Sequence, residues 1–133
     1  MRRKDREMDA AFATDILRHA PYITVSMTDE DGMPYAVPLS LASADGKVYY
    51  FHCAAEGKKA ECIKACPNVF LSAVTRCKPT VGPKDYSFTL EYKSATAKGI
   101  AEIVTDYDEK IEAMRIICQR FLPHHMEAFS QAL

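Results

Sequence analysis

The chain has 133 residues, the length of one ordinary globular domain, so we expect a single domain over residues 1–133. Apolar residues make up 48% of the chain and charged residues 26%, a balance that argues against both a disordered chain and a coiled coil. The formal net charge is −1, without the basic excess that general nucleic-acid binding uses, and we expect no nucleic-acid partner.

Neither a membrane segment nor a disulfide framework is evident. No apolar run approaches the roughly 20 residues of a membrane-spanning helix, and no apolar leader follows the charged start. We therefore expect no membrane partner and a cytoplasmic location. The five cysteines are odd in number and scattered, which fits reduced thiols. Cys53, Cys62 and Cys66 lack the paired spacing typical of zinc sites, so we expect no metal.

The first half of the chain predicts one helix and three strands. Apolar residues at helical spacing predict a helix over residues 8–19, which Pro21 ends. Runs rich in β-branched and aromatic residues, bounded by turns, then predict strands over residues 22–28, 33–42 and 47–53. Because Pro34 and Pro38 donate no ladder hydrogen bonds, the second strand must lie at a sheet edge, contain a bulge, or leave backbone groups free.

The second half predicts a short helix, further strands and a longer helix. Helical spacing and alternation predict a helix over residues 57–66 and strands over residues 69–76, 86–92 and 97–104. The phase of the last strand is disturbed near Gly99, where we expect a bulge or a sharp bend. Thr105 and Asp108 form a capping-box pair in front of a helix over residues 106–122.

These elements sum to six or seven short antiparallel strands with two or three helices. The fold class expected from them is mainly β with flanking helices, built as a small β-barrel. The inserted helix at residues 57–66 interrupts the strands and is the natural place to look for a binding site.

Residues 52–59 are the most informative local feature, because a strand is expected to end and a helix to begin there. Free N–H groups and the helix dipole make such a point an anion site, and a bound phosphate would stabilise Lys58 and Lys59 in the first turn. A solvated lysine pair is the alternative that the local chemistry leaves open. His52 could donate to the same phosphate or satisfy a hydrogen bond at the barrel rim.

Four segments carry a family likeness: residues 1–7, residues 34–39 with their Val-Pro-Leu run, residues 51–59, and residues 92–94 followed by Gly99. In this order and spacing they resemble the pyridoxamine-5′-phosphate-oxidase-like, FMN-binding split barrels, and among these the nitroimidazole-resistance-like branch. The resemblance implies a split β-barrel that binds FMN.

The same resemblance implies which residues hold the cofactor. Backbone groups of Val37, Pro38 and Leu39 would contact the isoalloxazine ring. The phosphate and ribityl chain would lie near His52, Gly57, Lys58 and Lys59, with further contacts, some across a dimer interface, from Tyr92 and Ser94.

By resemblance, the function is electron transfer in a homodimer, from a reduced donor through FMN to a small acceptor, with nitroaromatics as one candidate class. The alternative is a flavin- or haem-binding module without turnover, since the same sequence features predict both. No acid, base or nucleophile is evident, so we assign no catalytic residue. The chain has no Trp, and Tyr35, Tyr50 and Tyr86 are candidates for an aromatic side chain near the flavin.

Overall fold

The computed structural model describes residues 1–83 and 88–132 of the chain. Its helices and strands follow in the order α1 (Ala10–His19), β1 (Ile23–Thr28), β2 (Pro34–Leu39), α2 (Lys58–Ala65), β3 (Asn68–Val81), β4 (Phe88–Ile100), α3 (Tyr107–Phe121) and α4 (Met126–Ala132). Short 3₁₀ helices span Lys4–Arg6 and Pro123–His125. No helix among the described residues is long and apolar enough to cross a membrane.

The four strands form one antiparallel sheet in the order β2-β1-β3-β4. β1 pairs with β2 along its whole length, from Ile23 opposite Leu39 to Thr28 opposite Pro34. β2 therefore lies at a sheet edge, which is the first of the three arrangements that its prolines allow. The expected class, mainly β with flanking helices, is confirmed.

The strand predicted over residues 47–53 is reduced to a single bridge between Ala42 and Tyr50. The cause is Asp45, whose Oδ1 accepts hydrogen bonds from the backbone N–H groups of residues 47 and 48, at 2.8 and 3.0 Å. This side-chain acceptor prolongs the turn and takes the donors that a strand would use.

β3 and β4 are both longer than the sequence predicts. β3 continues through Pro79 to Val81, beyond the predicted strand end at residue 76, and β4 joins two predicted strands into one. Together with the missing third strand, this gives four strands in the described part of the chain, where the sequence predicts six or seven.

The irregularity expected near Gly99 lies in β3 instead. Gly99 keeps regular register within β4, and the disturbed phase arises because that strand ends at Ile100. The register shift falls between Thr75 and Lys78, so two residues of β3 lie opposite one residue of β4. Arg76, within this bulge, has φ 49°, the left-handed conformation that one class of β-bulge uses.

The core lies on one face of the sheet, under α1 and α2. Alternate residues of β1 point into it: Ile23, Val25 and Met27 are 1–2% exposed. They pack with buried side chains of the two helices and of the neighbouring strands, among them Ile16, Leu17, Cys62, Ile63, Leu71, Ala73 and Ala95. Full burial of one such aliphatic side chain contributes about 1.5–3 kcal/mol.

The opposite face, called the outer face below, carries mostly small side chains on β1 and β2, with larger ones on β3 and β4. One row runs Pro38, Thr24, Ser72, Thr96 from β2 to β4. The next row runs Ala36, Ser26, Phe70, Lys98. Neither α1 nor α2 packs there, because their contacts are with the core face.

The N-cap of α3 is Asp106, not the predicted Thr105. The Asp106 carboxylate accepts a hydrogen bond of 2.9 Å from the backbone N–H of Glu109, so the predicted pairing of Thr105 with Asp108 is wrong by one residue. Aspartate at this position also places a negative charge at the positive end of the helix dipole.

Arg120, near the end of α3, stabilises the end of α1. Its Nε donates to the carbonyl oxygen of Arg18 and its Nη2 to that of His19, both at 3.0 Å. These carbonyls lie in the last turn of α1, where helical partners are lacking. One guanidinium thus joins the first long helix of the chain to the last one.

Candidate functional site

The nine residues selected from the sequence occupy three places in the fold. Val37, Pro38 and Leu39 lie on the edge strand β2; His52, Gly57, Lys58 and Lys59 lie at or before the start of α2; Tyr92 and Ser94 lie on β4. β2 offers backbone polar groups, the start of α2 offers N–H groups and lysines, and β4 offers a hydroxyl and an aromatic ring. β4 lies at the opposite sheet edge from β2.

On β2, the side chains of Val37 and Leu39 pack toward the core, whereas Pro38 is exposed on the outer face. No other strand in the described part of the chain pairs with the far side of β2. The edge therefore keeps unpaired backbone polar groups, the kind of group through which a planar ligand can be held.

The start of α2 is open to an anion. Gly57 is its N-cap with φ +120°, a conformation that residues with a side chain rarely adopt. No side chain caps this helix, so the first backbone N–H groups have no side-chain acceptor. Residues 52–58 are all exposed, so a ligand can reach these groups.

Lys58 is tied to the turn between β1 and β2. Its Nζ donates to Asp29 Oδ2 at 2.9 Å, while Asp29 Oδ1 accepts from the backbone N–H groups of Asp31 and Met33, also at 2.9 Å. The neighbouring ammonium and these N–H groups lower the pKa of the Asp29 carboxyl. Asp29 in turn raises the pKa of Lys58. The start of α2 and the approach to β2 are thus physically connected.

Lys59 and His52 make no such contact. Lys59 is half-buried, and its ammonium has no hydrogen-bond or ion-pair partner in residues 1–83 and 88–132. His52 is exposed in an irregular segment instead of ending a strand, because the predicted third strand does not form.

Tyr92 and Ser94 lie at the opposite edge of the sheet from β2. Both are exposed, on the outer face of β4. β1 and β3 separate β4 from β2, and three strand spacings amount to about 14 Å. One chain therefore connects the start of α2 to the turn that precedes β2, whereas Tyr92 and Ser94 lie apart from both.

Beyond the four-stranded part, residues 74–81 of β3 and 88–94 of β4 continue as a two-stranded ribbon, called the arm below. Its outer face is apolar and open to water: Phe88 is 83% exposed and Val81 68%. Val74, Leu90 and Tyr92 continue this surface. Of these exposed residues of the arm, only Tyr92 is selected from the sequence as a site residue. The alternation over residues 86–92 is the sequence signal for this apolar face, because such alternation indicates a face that becomes buried.

Among the three candidate tyrosines, Tyr35 packs against the core and Tyr50 donates to Glu109 Oε1 at 3.2 Å. Neither lies beside Pro38 on the outer face. Tyr86 lies outside the described residues. Tyr92 is thus the tyrosine of β4 that the structure exposes on the outer face.

A cavity of about 800 Å³ lies on the core side of the sheet, between α1 and two irregular segments, residues 46–51 and 101–106. None of the nine selected residues lines it. Burial raises the pKa of Tyr49 in its wall. In the described ranges, no three or more His, Cys, Asp or Glu side chains are grouped to hold a metal ion.

Residues 9–131 match the family model of pyridoxamine 5'-phosphate oxidase. The match covers nearly the whole chain, so the protein belongs to this family, as the resemblance of its four segments implies. Among curated proteins, no match to the sequence is found.

Three solved structures have the same fold. A candidate 5-nitroimidazole antibiotic resistance protein from Bacteroides thetaiotaomicron is 27% identical with a TM-score of 0.75, over 86% of this chain and 68% of that one. The flavocytochrome Anf3 from Azotobacter vinelandii is 20% identical with a TM-score of 0.77, over 92% and 56%. The FAD and heme binding protein from Mycobacterium smegmatis is 22% identical with a TM-score of 0.75, over 92% and 58%.

The chain spans little more than half the length of the last two proteins, and at these identities they show the fold alone. The split-barrel fold expected from the resemblance is confirmed by these similarities.

Proposed function

We propose that the protein binds FMN and acts as a cytoplasmic homodimer that transfers electrons from a reduced donor to a small acceptor. The observation that carries this proposal is the Asp29–Lys58 contact, which joins the open start of α2 to the turn that leads into β2. This contact connects a helix start suited to an anion with the turn before an edge strand that has free backbone groups, and it supports a ligand that carries both a phosphate and a planar ring.

The start of α2 fits a phosphate group. Uncapped N–H groups, the positive end of a helix dipole and the lysines Lys58 and Lys59 all favour a dianion at this point. Gly57 permits the turn that exposes the N–H groups, and His52 lies in the same exposed segment.

The outer face beside β2 fits a flat ring. Pro38 and Ala36, with Thr24 and Ser26 opposite them on β1, are small and leave a level surface. Backbone groups of Val37, Pro38 and Leu39 at the free edge would supply the polar contacts to the ring.

The arm supports a second copy of this chain as the partner. A large exposed apolar surface on a two-stranded ribbon is unfavourable in water, and its burial drives association. β2 lacks a neighbour that Tyr92 and Ser94 of β4 could provide, and in a two-fold dimer each chain can provide it to the other. The ligand site is complete only in such a pair.

A bound flavin supplies the electron transfer itself, so the protein needs to bind, orient and shield it without a nucleophile of its own. The name of the Bacteroides protein supports a nitroaromatic as one class of acceptor. The identity of the donor is tested directly by supplying reduced nicotinamides.

A second candidate function is binding of flavin or haem without turnover. The names of the two longer structural relatives, a flavocytochrome and a FAD and heme binding protein, favour this alternative. The candidate site is also poor in acid and base groups, with His52 the one imidazole among its nine residues.

The first experiment is the visible absorption spectrum of the purified protein, followed by titration of cofactor-free protein with FMN. We expect a flavin spectrum and one FMN bound per chain, in a species of twice the chain mass. A colourless protein that takes up no FMN would remove the proposal. If FMN binds, steady turnover of a nicotinamide donor with a nitroaromatic distinguishes the enzyme from the binding module.

A further inference from the structure

We propose that a recess on the outer face of the sheet binds the electron acceptor, and that it selects a planar aromatic molecule with a negative charge. Phe70 would stack on the ring of this molecule, and Lys98 would pair with its charge. The inference rests on the proposed function, because only a bound flavin makes the ligand of this recess an acceptor. It adds a second ligand site, built from residues outside the nine selected for the cofactor.

The recess lies where the pairing of β1 with β3 ends. The last pair between these strands is Ser26 opposite Phe70, although β1 continues to Thr28 and β3 begins already at Asn68. Beyond this pair the two strands are no longer in register with each other, and a recess of about 570 Å³ lies there. Small-molecule sites commonly have volumes of about 300–1,000 Å³, so the recess has room for one small ligand.

The lining of the recess is largely apolar and open to water. Phe70 is 41% exposed, and Ile100 of β4 is 64% exposed. A flat apolar ligand in contact with these two side chains would remove their surface from water. The ring of Phe70 favours an aromatic ligand in particular, because offset or edge-to-face contacts between rings stabilise beyond the burial of area.

Lys98 gives the recess its charge. It lies opposite Phe70 in the ladder of β3 and β4, and it is exposed. In residues 1–83 and 88–132 its ammonium has no ion-pair partner, and no acidic residue of these ranges lines the recess. Glu30 and Asp31 lie in the turn after β1, and β3 separates β1 from the strand of Lys98. The charge in the lining therefore suits an anionic ligand.

The recess adjoins the surface proposed for the flavin ring. One row of the outer face runs from Ala36 on β2 through Ser26 to Phe70 and Lys98. Neighbouring strands are about 4.8 Å apart, so Phe70 lies roughly 10 Å from Ala36. A ring held over β2 and β1 would thus meet a second planar molecule over β3 edge to edge. The half-buried hydroxyl of Ser26 lies between them and can donate a hydrogen bond.

The test measures binding of two probes of nearly equal size: 4-nitrobenzoate, an anion, and 4-nitrobenzamide, which is neutral. Each is titrated by calorimetry into oxidised, FMN-loaded protein without an electron donor. We expect wild type to prefer the anion, and K98M to reduce this preference by up to about fivefold, the range of an ion pair in contact with water. K98R should keep the preference. So should K64M, which removes an exposed lysine from the last turn of α2.

Phe70→Leu separates the effect of the ring from that of the charge. Leucine keeps an apolar side chain but removes the aromatic contact, so both probes should bind about two- to tenfold more weakly, with their ratio unchanged. Raising the salt concentration should change the ratio instead. It should weaken binding of nitrobenzoate and leave binding of nitrobenzamide unchanged, because salt screens the pairing with Lys98.

An unchanged preference in K98M, with FMN bound, would overturn the acceptor site and leave the proposed function intact. Wild type that loads FMN but binds neither probe would also overturn the site, and would mean that the partner chain or another group fills the recess. Protein that takes up no FMN would overturn both proposals. Circular dichroism and melting temperature of each variant separate these results from misfolding.

Discussion

The four-stranded part of the sheet and the arm are built from the same two long strands, but they differ in what covers them. In the four-stranded part, alternate residues of β1, β3 and β4 are buried under α1 and α2. In the arm, the outer face leaves most of the surface of Phe88 and Val81 exposed to water. The first region buries its apolar side chains within one chain, and the second leaves an apolar face uncovered.

Because of this difference, we expect substitutions in the two regions to affect different measured quantities. Variants in the four-stranded part should change the free energy of unfolding, and variants in the arm should change association and, in the proposed dimer, flavin retention. Each prediction below tests one side of that division.

The largest effect is expected from Leu90→Asp on the outer face of the arm. A charge there opposes burial of the apolar surface, so we expect monomeric protein that no longer retains FMN, with helical content unchanged. Light scattering and absorbance measure both. Thr89→Asp, on the opposite face of the same strand, is the matched control and should remain dimeric. Dimers that persist in the Leu90 variant would show that the arm is not the interface.

Ile23→Ala should destabilise the four-stranded part by about 2–5 kcal/mol, because it opens a cavity at a side chain that is 1% exposed. Thr24→Ala, its outer-face neighbour, should cost less than about 1 kcal/mol. Urea unfolding of the flavin-free protein gives both values. Equal losses at the two positions would mean that the outer face is as closely packed as the core.

Arg120→Met should cost about 1–2 kcal/mol, since it removes charged donors from two carbonyls at the end of α1. Arg115→Met removes only an exposed pair with Glu112 and should cost less than about 0.5 kcal/mol. Thermal unfolding at one fixed pH gives the comparison. A small loss in the Arg120 variant would indicate that water replaces the guanidinium.

Asp106→Ala should destabilise the protein by about 1 kcal/mol, the usual cost of losing an N-cap. Thr105→Ala should have almost no effect. The reverse result would restore the cap predicted from the sequence and would place the start of α3 one residue earlier.

The smallest effect concerns pH. The pKa of Asp29 is lowered in the folded protein, mainly by Lys58, so its stabilising contribution is fully present above about pH 4, the ordinary Asp value, and is lost as the pH falls further. The difference in melting temperature between wild type and D29N should therefore shrink from pH 6 to pH 2.5. A constant difference would mean that the ion pair does not stabilise the fold.

What the sequence predicts well is local. Turn residues and helical spacing locate α1, β1, β2, α2 and α3 within a few residues, and the edge position of β2 is one of the three arrangements that its prolines allow. The cap of α3 is displaced by one residue because both Thr105 and Asp106 are good N-caps, and only the backbone decides between them.

What the sequence misses depends on contacts between distant parts of the chain. Asp29 and Lys58 are 29 residues apart, and nothing in either segment indicates their pairing. The bulge at Arg76 is invisible because the left-handed conformation is usually signalled by glycine or asparagine. The third predicted strand fails because a single Asp45 oxygen takes two backbone donors.

β2 and β4 lie at opposite edges of the sheet, and this placement would determine how strongly a bound flavin is retained. In the proposed dimer, each flavin would touch both chains, so binding of the flavin and association of the chains are thermodynamically linked. Dilution would then release FMN, and added FMN would hold dilute chains together. The concentration of FMN-bound dimer in a cell would therefore rise more steeply than the total concentration of the chain.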